Sequence, residues 1–140
     1  MGTTLANQQS PRKAVILERE AIEAQEKESF SDPSNGIVSW KTLISAPYTN
    51  TNSLTAGIAT CPPQQGHLCP HRHAHAEIYH IISGRGILCI DGVEQEVAAG
   101  TVAYIPGDAE HSIRNDEPEE DLKWLYVFGA DSFKDVVYRF

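Results

Sequence analysis

Three of the six histidines lie within five residues of one another, and an acidic residue follows them closely. They are His71, His73 and His75, and the acidic residue is Glu77. Imidazole nitrogens and carboxylate oxygens are common protein ligands of divalent transition metals. All four positions are odd, so a single straight strand would place the four side chains on one face. The cluster therefore predicts a metal site.

The distance along the chain limits how these residues could share one ion. A strand rises about 3.3 Å per residue and would hold His73 and Glu77 about 13 Å apart, whereas ligand atoms lie about 2.0–2.2 Å from a metal. The chain must therefore reverse between them, with His75 in the turn. A further ligand should come from elsewhere, and His111 follows a Pro-Gly turn and opens a strand. The predicted metal ligands are His71, His73, Glu77 and His111.

Three imidazoles and one carboxylate form a mixed nitrogen and oxygen site for one divalent transition metal. Such a site suits Fe(II), Mn(II), Ni(II), Co(II), Zn(II) or Cu(II), and the sequence does not choose among them. An octahedral ion held by four side chains keeps two positions for water, substrate or dioxygen. The alternative is a polar surface loop that happens to be rich in histidine. The density of the cluster, the apolar strand after Glu77 and the distant His111 favour the metal site.

Four further side chains are candidates for a pocket beside the ion. His75 neighbours two ligands and has an unperturbed pKa near neutrality, so it could act as a general acid or base. A solvated histidine in a turn is an equally good interpretation. Tyr79 shares the face of Glu77 on its strand, and Tyr104 is another aromatic residue that could line the pocket. Arg114 could bind a substrate carboxylate, although a surface ion pair is the commoner role.

The rest of the chain consists mainly of short apolar segments separated by Gly, Pro, Asp and Asn. Such segments predict strands, and Asp91-Gly92 between two of them predicts a type I′ hairpin turn. Many short strands at close spacing indicate an all-β sandwich or barrel. The predicted strands are residues 37–44, 53–61, 71–73, 77–82, 87–90, 93–97, 102–105, 112–114 and 122–128.

The length of 140 residues fits one domain. Residues 1–13 predict a flexible tail. The apolar run 14–17 predicts an extended segment, and the charged residues 18–28 predict an irregular or short helical stretch. The domain is therefore expected to span residues 14–140, with a barrel core at about 37–129.

Composition and charge narrow the range of partners and compartments. The formal charge of −8 argues against nucleic acid as a partner. The sequence contains no run of about 18 apolar residues, so we expect no membrane span. The first ten residues lack the apolar segment of a secretory signal. Cys61, Cys69 and Cys89 are odd in number and loosely spaced, which favours reduced thiols. We expect a cytoplasmic protein that binds a small-molecule substrate.

Two segments of the sequence, about 15 residues apart and in the right order, resemble the two motifs of the cupin superfamily. Gly66 lies one residue nearer the first histidine than in the usual pattern, and Asp108 stands where the family has glycine. The matching positions are Gly66, His71, His73, Glu77 and Gly84 in the first segment, and Gly100, Pro106, His111 and Asn115 in the second.

The resemblance extends over about residues 57–128 and implies a double-stranded β-helix, a jelly-roll barrel of two packed antiparallel sheets. It implies the same four metal ligands, His71, His73, Glu77 and His111. It also implies a metal-dependent enzyme that acts on a small organic metabolite, either carboxylated or polyketide-like. An oxidoreductase or dioxygenase is the first expectation, and a redox-neutral lyase, isomerase or cyclase is the second. A non-catalytic cupin that binds a small molecule is a third alternative.

A homodimer is the expected assembly. Cupins commonly dimerise by lending N-terminal strands, and the apolar run 14–17 needs a surface to cover it. The chain also resembles small stand-alone cupins, some of which accompany enzymes of secondary metabolism. This second resemblance is an analogy at the level of the fold.

Overall fold

Two antiparallel sheets pack face to face in the computed structural model, which describes residues 13–140. The six-stranded sheet has the order β1-β3-β4-β11-β6-β9, and the five-stranded sheet has the order β2-β5-β10-β7-β8. The elements are α1 (Arg19–Ala24), β1 (Glu28–Ser29), β2 (Gly36–Ile37), β3 (Ser39–Ile44), β4 (Thr55–Cys61), β5 (His67–His71), β6 (Glu77–Ser83), β7 (Arg85–Ile90), β8 (Val93–Ala98), β9 (Val102–Ile105), β10 (His111–Arg114) and β11 (Leu122–Phe128), with 3-10 turns at Pro33–Asn35 and Phe133–Asp135.

This architecture confirms the predicted all-β jelly-roll with a short helical N-terminal extension. The predicted tail over residues 1–13 falls almost entirely outside the described residues. None of the helices among residues 13–140 has the length and apolar character needed to cross a membrane. The cytoplasmic location expected from the sequence stays a prediction.

Two predicted strands differ from the structure where the chain changes sheets or direction. The strand predicted over residues 37–44 is divided at Val38, because β2 joins the five-stranded sheet and β3 joins the six-stranded sheet. The strand predicted over residues 71–73 lies earlier and ends at His71, since the chain leaves β5 there to reach β6. The strands predicted over residues 102–105 and 122–128 match β9 and β11.

The turn between β7 and β8 has the predicted conformation. Asp91 has φ +49° and Gly92 has φ +81°, so both central residues lie in the left-handed region that a type I′ turn requires. The side-chain Oδ1 of Asp91 also accepts a hydrogen bond of 3.0 Å from the backbone N–H of Glu110. This contact joins the turn to the segment that leads into β10.

The core lies between the two sheets because side chains alternate along their strands. Along β6, Glu77, Tyr79 and Ile81 are buried and the residues between them are exposed. The neighbouring strand β11 pairs with β6 from Lys123 to Phe128 and buries one face in the same way. Its buried residues are Leu122, Trp124, Tyr126 and Phe128. The sheet therefore presents both a carboxylate and several aromatic rings to the interior.

Asn115, directly after β10, links three chain segments at one end of the barrel. Its buried side-chain Nδ2 lies 3.0 Å from the carbonyl oxygen of Cys61, 3.1 Å from that of Pro62 and 2.7 Å from that of Glu120. Its Oδ1 accepts the backbone N–H of Glu117 at 3.0 Å. These contacts satisfy backbone groups at the end of β4 and in the connection between β10 and β11.

Replacing Asn115 by alanine is expected to lower the free energy of unfolding by about 2–4 kcal/mol, because several buried backbone groups lose their partner. Urea unfolding followed by circular dichroism measures this change. Asn52→Ala is the matched control, since Asn52 is exposed, and it should unfold at the wild-type midpoint. Equal stability of the Asn115 variant and wild type would contradict the assigned role.

Candidate metal centre

The four predicted ligands meet in the interior of the barrel. His71 ends β5, His111 opens β10 directly opposite it, and Glu77 opens β6 on the facing sheet. His73 lies in the short connection that carries the chain from β5 to β6. All four side chains are buried. The reversal between His73 and Glu77 that the strand length required is therefore present.

The nitrogen and oxygen atoms of this cluster are close enough to share one ion. His71, His73 and His111 each offer a ring nitrogen within 4.8 Å of the other two. The Oε1 atom of Glu77 lies 3.1 Å from Nε2 of His73 and 3.2 Å from Nε2 of His111. The three imidazoles can thus hold a divalent metal, and Glu77 is placed beside two of them. Its assignment as the fourth ligand stays a prediction.

Local backbone carbonyls fix the orientation of all three rings. A carbonyl oxygen only accepts hydrogen bonds, so each Nδ1 atom acts as the donor and Nε2 is left to face the cluster. Such outer hydrogen bonds are typical of histidines that bind metals. The three pairs are His71 Nδ1 with Cys69 O at 2.8 Å, His73 Nδ1 with His75 O at 2.9 Å, and His111 Nδ1 with Ala109 O at 2.9 Å.

The environment of His71 supports a metal in this cluster. Its Nε2 atom is buried and has no hydrogen-bond partner among the described residues. Burial, and next the nearby His111 and His73, lower the pKa of His71 to about 3, although its bond to Cys69 opposes the shift. The ring therefore presents an unshared nitrogen lone pair to the cluster. A buried lone pair without a donor is costly, and a divalent cation would satisfy it.

Two tyrosines border the metal cluster. Tyr79 is buried two residues after Glu77, with its ring centroid 6.2 Å from that of His111. Tyr138 stacks on His71 at 4.7 Å with an interplanar angle of 2°. Burial first, and then the Glu77 carboxylate, raise the pKa of both phenols well above the usual value of 10.0. Both phenols are therefore protonated in the free protein at neutral pH.

The C-terminal segment holds Tyr138 over the cluster. Arg139 and Arg72 exchange backbone hydrogen bonds of 2.8 and 2.9 Å, and the Arg139 guanidinium pairs with the carboxylate of Asp108. The sequence did not predict a role for Tyr138. Its aromatic ending, Tyr138-Arg139-Phe140, gives no spacing that relates it to the distant histidines. Only the bridge between two separate segments brings the ring to the site.

The other predicted pocket residues are placed differently from Tyr79. His75 is half-buried in the turn and contributes its carbonyl oxygen to His73. Tyr104 is 65% exposed, because it points away from the core on the edge strand β9, so the prediction that it lines the pocket is wrong. Arg114 is exposed and pairs with two acidic side chains. Its Nη1 lies 2.6 Å from Glu94 Oε2 and its Nε lies 3.0 Å from Asp116 Oδ2, which matches the surface alternative.

A cavity of about 390 Å³ opens between the sheets beside Glu77. This size falls within the range of about 300–1,000 Å³ that is usual for small-molecule sites. Its wall is mainly aromatic, and its charged members are Glu77 and Lys134. The aromatic residues that line it are Phe30, Trp40, Tyr79, Trp124, Tyr126, Phe133 and Tyr138.

Comparison with known proteins identifies the family. The cupin domain model matches residues 57–128, which is half of the chain. The chain belongs to the cupin family. The family assignment confirms the resemblance of the two sequence motifs, and it agrees with the two-sheet barrel and its buried histidines.

The cupin is 43% identical over 111 residues to the dimethylsulfoniopropionate lyase DddW of Ruegeria pomeroyi, a match that covers 79% of this chain and 70% of that protein. Its fold is similar to that of the polyketide cyclase RemF of Streptomyces resistomycificus, with a TM-score of 0.71 and 19% identity over 89% of this chain and 84% of RemF. A predicted oxalate decarboxylase of Thermotoga maritima gives a TM-score of 0.66 and 26% identity over 77% and 95% of the two chains. The protein is thus an enzyme of the cupin type.

Proposed function

We propose that this cupin is a metal-dependent lyase that cleaves dimethylsulfoniopropionate or a close analogue of it. The observation that carries the proposal is the 43% identity with DddW, which extends over most of both chains. The sequence alone favoured an oxidoreductase or dioxygenase, with a redox-neutral lyase as the alternative. The similarity to a lyase supports the alternative.

The four clustered side chains, His71, His73, Glu77 and His111, are the residues that would hold the metal. When bound, a divalent cation supplies Lewis acidity to an oxygen of the substrate. The protein residues keep this position dry, since all four side chains are buried and the aromatic wall adjoins them. A dry site strengthens every electrostatic contact with a charged substrate.

The aromatic wall of the cavity suits a cationic group. A sulfonium carries a positive charge but has no N–H or O–H group. A protein therefore cannot recognise it by accepting hydrogen bonds from it. The faces of tryptophan and tyrosine rings attract such cations. Trp40 and Tyr138 both line the cavity. These groups would bind the sulfonium end of the substrate.

We assign the proton transfer of the reaction to Tyr79. It lines the cavity and lies on the same strand face as Glu77. In the elimination, Tyr79 Oη acts as the base after its own proton has passed to solvent, a loss that a bound divalent cation beside it would favour. The phenolate oxygen then takes the proton from the carbon next to the carboxylate. The C–H electron pair forms the new carbon–carbon double bond, and the carbon–sulfur bond breaks with its pair going to sulfur. The products are dimethyl sulfide and acrylate, and no oxidant is consumed.

A product assay tests the proposal. Protein purified without a histidine tag is loaded in turn with Fe(II), Mn(II), Ni(II), Co(II), Zn(II) and Cu(II) and given dimethylsulfoniopropionate. Gas chromatography of the headspace should detect dimethyl sulfide with at least one of these metals. His71→Ala, treated in the same way, controls for the slow reaction with free metal. Release no faster than this control with all six metals would overturn the proposal.

A further inference from the structure

The metal cluster is closed to solvent. The exposed fractions of its four side chains are 1% for His71, His73 and His111 and 2% for Glu77. The Nε2 atom of His71 is itself buried. An ion or a substrate atom from solvent therefore reaches these ligand atoms only when a neighbouring group moves.

Tyr138 covers two of the three rings of this cluster. Its ring centroid lies 4.7 Å from that of His71 and 5.2 Å from that of His73. The ring centroid of Phe140 also lies near His71, at 5.7 Å. Both aromatic residues belong to the end of the chain, residues 134–140, which we call the C-terminal strap. Since Tyr138 also lines the cavity, the strap forms a wall of the cluster and of the cavity together.

The strap is held less firmly than the residues that precede it. Residues 130–133 are anchored to the barrel by several hydrogen bonds. These bonds join Thr55 Oγ1 to Ala130 O at 2.9 Å, Ala46 N–H to Asp131 O at 2.8 Å, and Phe133 N–H to Ser45 Oγ at 2.8 Å. Among the described residues, every hydrogen bond from residues 137–140 to the barrel involves Arg139. Segments with few hydrogen bonds open most readily, so the strap is the part of the wall best able to move.

Asp108 joins the strap to the barrel beside the metal cluster. Its carboxylate pairs with the guanidinium of Arg139. Its backbone N–H donates to the carbonyl oxygen of His73 at 2.8 Å, and its own carbonyl oxygen accepts a hydrogen bond of 2.8 Å from Nη1 of Arg72. One residue therefore connects the strap with the segment that carries a predicted metal ligand.

The ion pair between Asp108 and Arg139 suits a contact that forms and breaks. The two side chains are 65% and 56% exposed, and an exposed ion pair stabilises a structure only weakly. Asp108 has φ +63°, in the left-handed region that favours glycine, and the cupin motif has glycine at this position. Aspartate is one of the few residues with a side chain that tolerates this region. A carboxylate is therefore present where glycine would be the easier residue, and Arg139 is its partner.

We propose that the C-terminal strap is the lid of the metal centre and that Asp108 and Arg139 are positioning residues that hold it closed. In the closed position the strap keeps Tyr138 against His71 and completes the wall of the cavity. When the strap opens, an ion or a ligand can pass between solvent and the cluster. The proposal concerns access to the site and is independent of the reaction that the site catalyses.

Amide hydrogen exchange of the metal-free chain measures how often the strap opens. The backbone N–H of Arg72 donates to the carbonyl oxygen of Arg139 at 2.9 Å, so its exchange reports the separation of the strap from the barrel. Asp108→Asn and Arg139→Gln should each speed this exchange about two- to fivefold, which is the effect of losing an exposed ion pair. Arg139→Lys keeps the charge and should have the protection of wild type.

Two controls separate the opening of the strap from a general loss of stability. The N–H of Ile81 donates to the carbonyl oxygen of Thr101 at 2.9 Å, and its exchange should be the same in all variants. Arg114→Gln breaks an exposed ion pair on the five-stranded sheet and should leave the exchange of Arg72 unchanged. Wild-type exchange at Arg72 in both ion-pair variants would overturn the role of the pair.

A disulfide that locks the strap tests its role as a lid. Arg72 and Arg139 exchange two backbone hydrogen bonds in an antiparallel bridge. Their Cα atoms therefore lie about 5.5 Å apart, within the range that a disulfide spans. The variant carries Arg72→Cys together with Arg139→Cys, and peptide mass mapping verifies the new bond. It is loaded with Co(II), and the release of the ion to excess EDTA is followed by absorbance before and after reduction.

Release should be at least about tenfold slower from the oxidised form than from the reduced form, since the locked strap opens only when the barrel itself loosens. Asp108→Asn should release the ion about two- to fivefold faster than wild type, in parallel with its hydrogen exchange. Circular dichroism of all forms should match that of wild type, so that the rates compare folded proteins. Equal release from the oxidised and reduced forms would overturn the proposal, because the ion would then leave by another path.

Discussion

Replacing His111 by alanine is expected to remove stoichiometric metal and to lower kcat/KM at least about 1,000-fold, since Lewis acidity contributes several kcal/mol to the rate. His111 is the predicted ligand on β10. Its Nε2 lies 3.2 Å from Glu77 Oε1, and it offers a ring nitrogen within 4.8 Å of those of His71 and His73. Its loss leaves two imidazoles and a carboxylate in a buried space. Both variants and wild type are loaded with metal, and the excess is removed by dialysis. Elemental analysis then measures the bound metal, and the rate of product release measures the activity.

His67→Ala is the matched control for this variant. His67 also donates from its Nδ1 to a nearby carbonyl oxygen, that of Gln65 at 2.8 Å, so its local hydrogen bonding resembles that of the cluster. It lies at the other end of β5 from His71, outside the cluster of ring nitrogens. The control should keep one metal per chain and the wild-type rate. Full metal content in His111→Ala would show that the ion is held elsewhere.

Tyr79→Phe is expected to lower kcat by about 10²- to 10⁴-fold, the usual contribution of a positioned acid or base. The variant removes one oxygen atom and keeps the ring against Trp124, whose centroid is 5.4 Å away. The metal content should remain at the wild-type level, because the predicted ligands are unchanged. Steady-state kinetics with elemental analysis of the same sample separates the loss of proton transfer from the loss of metal.

Tyr104→Phe controls for the removal of a phenol in general. Tyr104 is exposed on the outer side of β9, so the enzyme should keep its wild-type kcat. A Tyr79→Phe variant with normal metal content and normal kcat would assign the proton transfer to another group. Tyr138 would then be the next residue to replace, because it also lines the cavity and stacks on His71.

The part of the site that lies close together in the sequence could be predicted from it. His71, His73 and Glu77 are separated by so few residues that the rise of a strand forces a turn between them. His111 could be added because a Pro-Gly turn places it at the start of a strand. Alternation along β6 also predicted that Tyr79 shares the face of Glu77, and both side chains are buried on that face.

Features that depend on contacts between distant segments could not be predicted in the same way. Tyr138 reaches the cluster only because Arg139 bridges to Arg72, and no periodicity records that contact. Tyr104 was assigned to the pocket because residue type alone does not tell which side of an edge strand faces the core. The division of the first predicted strand at Val38 was missed for a similar reason. Its residues are good strand formers throughout, and only the packing decides which sheet each part joins.

Proton nuclear magnetic resonance of the metal-loaded enzyme under strict anaerobiosis tests most directly whether this cupin is a redox-neutral lyase. The sample holds dimethylsulfoniopropionate in a sealed tube, and a second tube is saturated with air. The expected result is one acrylate for each dimethyl sulfide, at the same rate in both tubes. Turnover that stops without oxygen, or dimethyl sulfide without matching acrylate, would contradict the proposed elimination.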